Sequence, residues 1–83
     1  MCFEYIPKGV CSRRIFVELE DNMIRAVRFE GGCSGNTQGI ARLVVGMDVD
    51  EAISRLEGIR CGMKPTSCPD QLSQALRQAK AAR

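Results

Sequence analysis

Cys11, Cys33, Cys61 and Cys68 are the residues of this chain best suited to chemistry, and there is no histidine to share the work with them. Each falls where the sequence turns from one element to the next, beside glycine or proline. The surrounding strings are Gly9-Val10-Cys11, Gly31-Gly32-Cys33-Ser34-Gly35-Asn36, Cys61-Gly62 and Thr66-Ser67-Cys68-Pro69-Asp70-Gln71-Leu72. A structural cysteine behaves as a small buried hydrophobe and sits within an apolar stripe. None of these four does, whereas Cys2, at the start of an alternating stretch, fits that plainer role. We therefore read the four sulfurs as converging on one site. Thiolates are soft ligands that suit Zn²⁺ or an iron–sulfur cluster and not Mg²⁺ or Ca²⁺. The available sets are Cys₄, or Cys₃ with an aspartate or water. A closed Cys₄ zinc site is structural, because it leaves no open position for water. The alternative use is thiol redox or sulfur handling, including iron–sulfur handling, by Cys68 with Cys61 resolving.

The spacing does not by itself specify zinc. Cys61 and Cys68 are separated by six residues and the other gaps exceed twenty, where a zinc ribbon needs close pairs such as C-x₂-C. Only the fold can assemble such a site. Size gives a reason for it to do so. Eighty-three residues make one domain, 1–83, with 45% hydrophobic residues, 5% aromatics and no Trp. Ordering a chain costs roughly 1.5 kcal/mol per residue, which leaves a core this small near balance. A bound metal would tip it.

The twelve basic and ten acidic residues give a net charge of +2 and are mixed along the chain. That balance points away from nucleic acid and from an anionic membrane. No segment reaches the roughly 18 apolar residues of a membrane span, and Met1-Cys2-Phe3-Glu4 lacks the basic start and apolar run of a signal peptide. The expectation is a cytoplasmic protein. In that compartment disulfides are rare and a cysteine cluster binds metal or does redox work. The odd count of five cysteines also argues against a pure disulfide framework.

Periodicity predicts the elements that must position the sulfurs. Residues 2–6 alternate as a short strand, and Pro7-Lys8-Gly9 is turn chemistry. Residues 10–20 form a second strand with Ile15, Val17 and Leu19 on its buried face. Glu20-Asp21-Asn22 makes the hairpin connection. A third strand over 23–30 places Met23, Val27 and Phe29 on one face, with Arg25 marking a bulge or an edge position. The glycines at 31, 32 and 35 loosen the backbone before a helix capped by Asn36 or Thr37 that runs to about Val45. Its apolar stripe is Ile40, Leu43, Val44 and Met47. Asp48 caps a second helix bearing Val49, Ala52, Ile53 and Leu56, closed by Gly58. Ser67 caps the third, with Pro69 in its first turn, Asp70 completing a capping box, and Leu72, Ala75, Leu76 and Ala79 facing inward. Arg77, Lys80 and Arg83 suit its negative end, and the positive end of its dipole favours a thiolate. Strands followed by helices predict an α+β fold, a three-stranded antiparallel sheet with three helices. The first strand, as an edge, could pair with a second chain.

Other candidates for chemistry have plainer explanations. Asp70 and Glu57 are a helix cap and a solvent-facing residue, and Arg13-Arg14 is a solvated strand end. The glycine loop at 31–36 lacks the Gly-Lys-Ser/Thr ending of a P-loop. A Ser-His-Asp or Cys-His arrangement is impossible without histidine.

Taken together, Cys11, the Gly31–Asn36 string, Cys61-Gly62 and Thr66-Ser67-Cys68-Pro69-Asp70-Gln71-Leu72 resemble the TSCPD family of small four-cysteine proteins, over nearly the whole chain. Stand-alone members have no assigned function. The same module occurs as a C-terminal domain of adenosylcobalamin (vitamin B12)-dependent ribonucleoside-diphosphate reductases. The resemblance implies a metal-binding or thiol-redox accessory role, with a ribonucleotide reductase or another protein as partner. At this length the chain is not expected to be that enzyme alone, since the reductases use a ten-stranded α/β barrel and a radical site. More distantly, the order of elements and cysteines is similar to the NifU-like iron–sulfur scaffold proteins. That likeness implies that Cys11, Cys33 and Cys68 occupy the scaffold's three cysteine positions; Cys61 would supply a fourth ligand from a different direction. The scaffold's aspartate position is Arg13 here, and the match fails there.

Overall fold

Ile15, Val17 and Leu19 alternate with polar residues and are all buried, which makes β2 (Ser12–Glu20) a half-buried strand with one face on the core. In the computed structural model, which describes residues 1–10, 12–31, 34–60 and 62–82 (the side chains of Ser34 and Asn36 excepted), β2 is the middle strand of an antiparallel meander. β1 (Cys2–Tyr5) pairs with it on one side and β3 (Met23–Gly31) on the other. Helices α1 (Ser34–Val44), α2 (Val49–Leu56) and α3 (Cys68–Ala82) follow. The expected α+β order, three strands and then three helices, is the observed one.

Two bulges shape the sheet. In the register, Glu18 faces Ala26 while Leu19 faces Ile24, so Arg25 is the extra residue on β3. The expected bulge at Arg25 is present, on a strand that is also an edge. Its consequence corrects the predicted face. The bulge turns Ile24 into the core, fully buried, and leaves Met23 exposed, while Val27 and Phe29 pack against the core as expected. The second bulge is on β2, where Ser12 faces Gly31 and Arg14 faces Glu30, with Arg13 left over. Counting back from Ile15 in strict alternation would aim Arg13 inward. With the bulge, Arg13 and Arg14 both face solvent and Ser12 is buried.

The helices cover one face of this sheet. α3 packs on β1 and β2, α1 on β3, and α2 against α3. Leu72, Ala75, Leu76 and Ala79 are completely buried, as the α3 periodicity predicts, and join Ile15, Val17, Leu19, Ile24, Val44, Val49, Ala52 and Ile53 in one cluster. Asp48 caps α2 as expected, accepting from the Asp50 and Glu51 amides at 3.0 and 3.2 Å. The α1–α2 connection also closes part of the β3 edge, since Ile24 donates to the Met47 carbonyl at 3.0 Å and accepts from Gly46 at 2.8 Å.

Three further expectations are corrected. Helix α1 begins at Ser34, ahead of the predicted Asn36 or Thr37 cap, and Thr37 lies buried within it. Tertiary docking of Thr37 overrides the low helix propensity of Gly35-Asn36. Leu43 is 76% exposed, because α1 meets the sheet along Thr37, Ala41 and Val44. Cys2 is exposed rather than buried, since its register opposite Glu18 puts it on the outer face, while Phe3 and Tyr5 turn toward the core. Among the described residues no helix is long and apolar enough to cross a membrane.

These faces make a direct contrast. Ile24→Ala is expected to lower unfolding free energy by about 2–5 kcal/mol. Leu43→Ala should stay within about 0.5 kcal/mol of the parent. Urea denaturation under identical buffer conditions reads both, and a larger loss for Leu43→Ala would reverse the assignment of the α1 face.

Candidate functional site

Helix α3 starts with its polar residues inside the protein. Ser67, Cys68, Asp70, Gln71 and Ser73 are all buried, although only Cys68 in this set has an apolar side chain. Each polar side chain must therefore find a partner, and those partners define the site. The Ser67 hydroxyl accepts from the Asp70 amide at 3.2 Å, as an N-cap does, and donates to the Ile59 carbonyl.

The carboxylate of Asp70 does not close the expected capping box. One oxygen accepts from the Gly58 amide at 2.7 Å. The other accepts from the Thr66 hydroxyl and from Gln74 Nε2, the latter at 3.4 Å. The local cap loses to a tertiary use of the same carboxylate, which has a whole loop to hold. The Thr66 hydrogen bond does most to hold the Asp70 carboxyl below its ordinary range; burial opposes it, and the Gly58 and Gln74 bonds add to it.

Gln71 does the same for the first loop. Its Oε1 accepts from the Tyr5 hydroxyl and from the Lys8 amide, both at 3.1 Å, while its Nε2 donates to Thr66 Oγ1 at 3.0 Å. Tyr5 also donates to Gln74 Oε1 at 3.3 Å. Burial, and then the negative charge of Asp70, push the Tyr5 phenol up. The two loops touch as well: at Gly9, whose φ is +74°, a Cβ would lie 3.2 Å from Thr66 Cγ2. Thus Lys8 on one side, and Gly58, Ile59 and Thr66 on the other, are tied to the start of α3.

Cys68 opens that helix, 9% exposed, with its Sγ 3.2 Å from the buried Ser12 Oγ. Of the four predicted ligands it alone can be placed. Cys11, Cys33 and Cys61 lie outside the described residues, and among the described residues no three acidic or cysteine side chains gather as a metal-binding group. Described residues within two positions of each lie about Ser12 and the start of α3. Ser12 follows Cys11 and touches Cys68. Gly31, two residues before Cys33, pairs with Ser12. Ile59, two residues before Cys61, is bonded to Ser67.

The sequence reading missed Ser12, Tyr5 and Gln71. Polar residues at the inward positions of α3 were the available signal for Gln71. For Ser12 there was none short of suspecting that Arg13 would be turned out by a bulge. The readings of Arg13-Arg14 and Glu57 as solvent-facing hold: both arginines are exposed, Arg14 pairs with Glu4 at 3.1 Å and Glu57 with Arg77.

A small α+β module that presents a buried cysteine at the start of its last helix, with the flanks of further cysteines around it, is the class of protein these features define. The chain belongs to the TSCPD domain family, whose model matches residues 2–80. No curated protein and no solved structure matches it.

Asp70 generates a pH prediction with a definite sign. Its folded-state value lies below the unfolded one of about 3.9, so its contribution is complete above that value and is lost as pH falls through the folded value. Asp70→Asn should lower stability at pH 7 by about 1–3 kcal/mol. It should also flatten the fall in stability below about pH 4. Parallel urea titrations of parent and variant isolate this term; equal acid slopes would remove Asp70 from it.

Proposed function

We propose that the chain is a metal-binding accessory module in which Cys11, Cys33, Cys61 and Cys68 hold one Zn²⁺. The observation that carries this reading is the buried start of α3. Cys68 is held there beside Ser12, and the polar side chains of Ser67, Asp70 and Gln71 hold the segments next in sequence to Cys11 and Cys61. A polar network this dense around one thiol suits a ligand site, because the residues that orient a metal's ligands are themselves hydrogen-bonded. The donor set fits soft-metal chemistry: thiolates only, with no histidine in the chain. When bound, the ion would supply cross-linking of the two loops and the sheet to α3, worth about 10–16 kcal/mol in apparent folding free energy.

The redox reading is disfavoured by burial. Thiol exchange needs an accessible thiolate, and Cys68 is 9% exposed. Family membership supports a link to ribonucleotide reductase, so the proposed partner is such a reductase or another protein, in the cytoplasm, with the module supplying structure rather than catalysis.

Elemental analysis of protein purified without added metal is expected to give one zinc per chain, with iron absent. Cys68→Ser should lose most of it, and chelation should lower the unfolding midpoint and expose the four cysteines to alkylation. A folded chain free of zinc and iron, with all four thiols alkylated at the same rate before and after chelator, would overturn the proposal. One cluster's worth of iron and sulfide in place of zinc would reassign the metal.

A further inference from the structure

The geometry points to Ser12 as a positioning residue for Cys68: its hydroxyl is the hydrogen-bond donor that holds and polarises the Cys68 sulfur. This deepens the metal reading and rests on it for the chemistry of the site, though the contact itself does not. Ser12 Oγ lies 3.2 Å from Cys68 Sγ, a close approach for an atom as large as sulfur, and the contact joins residues 56 apart in the chain. Ser12 is 4% exposed and Cys68 9%, so water competes little for either group. A hydroxyl and a thiol can each donate. A thiolate has no proton, so once Cys68 is ionised or bound to metal only Ser12 can donate. Bonds to an ionised acceptor are roughly twice as strong as neutral ones.

The backbone is arranged to make this contact. Alternation back from Ile15 would aim Arg13 at the helix, placing a guanidinium against the sulfur's surroundings. The bulge at Arg13 turns that side chain out and brings Ser12 in. Gly31, the partner of Ser12, completes the device. Its φ is +80°, a backbone conformation that favours glycine, and a Cβ there would come to 3.3 Å from the Arg13 Nε, a tight approach. The glycine thus leaves room for the bulged arginine on the outside while the serine holds the inside.

Competition against a zinc chelator and the spectrum of the cobalt-substituted protein provide the test. Removing an outer-shell hydrogen bond weakens metal binding by about 10–100-fold. Ser12→Ala should fall in that range and move the sulfur-to-cobalt charge-transfer band to lower energy, because a thiolate without its donor is easier to oxidise. Ser12→Thr, which keeps the hydroxyl on a strand-compatible side chain, should restore both. If Ser12→Ala does not fold, Ser12→Thr against Ser12→Val makes the same comparison between isosteres. Unchanged affinity and an unchanged band in the hydroxyl-free variant would overturn the role of Ser12 and leave the metal reading standing. A parent protein that binds neither zinc nor cobalt would sink the metal reading instead. The S–H stretch of Cys68 in the parent-minus-variant infrared spectrum then decides the Ser12 contact, a shift supporting it and no shift overturning it.

Discussion

A guanidinium left unpaired in a core of aliphatic side chains is prohibitively costly, and this sheet is shaped by two places where strict alternation would put one there. At Arg25 and at Arg13 the ladder takes in an extra residue, and the arginine swings to solvent. Arg25 then pairs with Glu20 on the surface. Each bulge also reverses the parity of everything beyond it. On β3 this delivers Ile24 to the core, against the helices. On β2 it delivers Ser12 to the start of α3. The hydrophobic cluster and the sulfur site therefore share one cause.

Helix α3 converts that sheet into a site. Its C-terminal half is an ordinary amphipathic helix, with Ala75, Leu76 and Ala79 buried on the core and Arg77 and Lys80 paired at the surface with Glu57 and Asp50. Its first two turns differ, because loops close over them on the sides where a helix usually meets water. Beside the buried Leu72 the side chains there are mostly polar, and those of Ser67, Asp70 and Gln71 give most of their hydrogen bonds to the chain outside the helix. Asp70 holds Gly58 and Thr66; Gln71 holds Tyr5, Lys8 and Thr66; Ser67 holds Ile59. Thr66 links the carboxylate to the carboxamide, so the two loops are joined through one hydroxyl as well as to the helix. In a chain this short, ordering two loops whose Ile6, Ile59 and Met63 stay exposed is expensive. The network offsets part of that cost, and the proposed metal would offset far more.

The outer face of the sheet carries none of this burden. Glu4 pairs with Arg14, and Arg28 lies over the Phe16 ring with 4.5 Å to its centroid. Exposed Cys2 belongs to this side. The molecule is thus polarised, with a charged sheet face on one side and helices on the other. The candidate site lies at the end where β2 begins and α3 starts.

Much of the arrangement was written in local pattern. Alternation at Ile15, Val17 and Leu19, the 3.6-residue spacing in α3, and the Asp48 and Ser67 caps depend on residues a few positions apart, so the sequence determined the α+β order and the three helices. It also singled out Cys68, because a capping serine and a proline in the first turn account for their neighbours and leave the thiol over. What it could not decide was anything settled by distant partners. The carboxylate of Asp70 reads locally as half of a capping box, and a loop twelve residues away outbids the cap. Leu43 reads as core, and lies exposed because α1 meets the sheet along Thr37, Ala41 and Val44. Arg13 reads as a solvated strand end, which it is. Only the pairing with β3 shows that getting it there brings Ser12 against Cys68, across 56 residues of sequence. A side chain's own period says which way it would point; its partner strand decides whether it does.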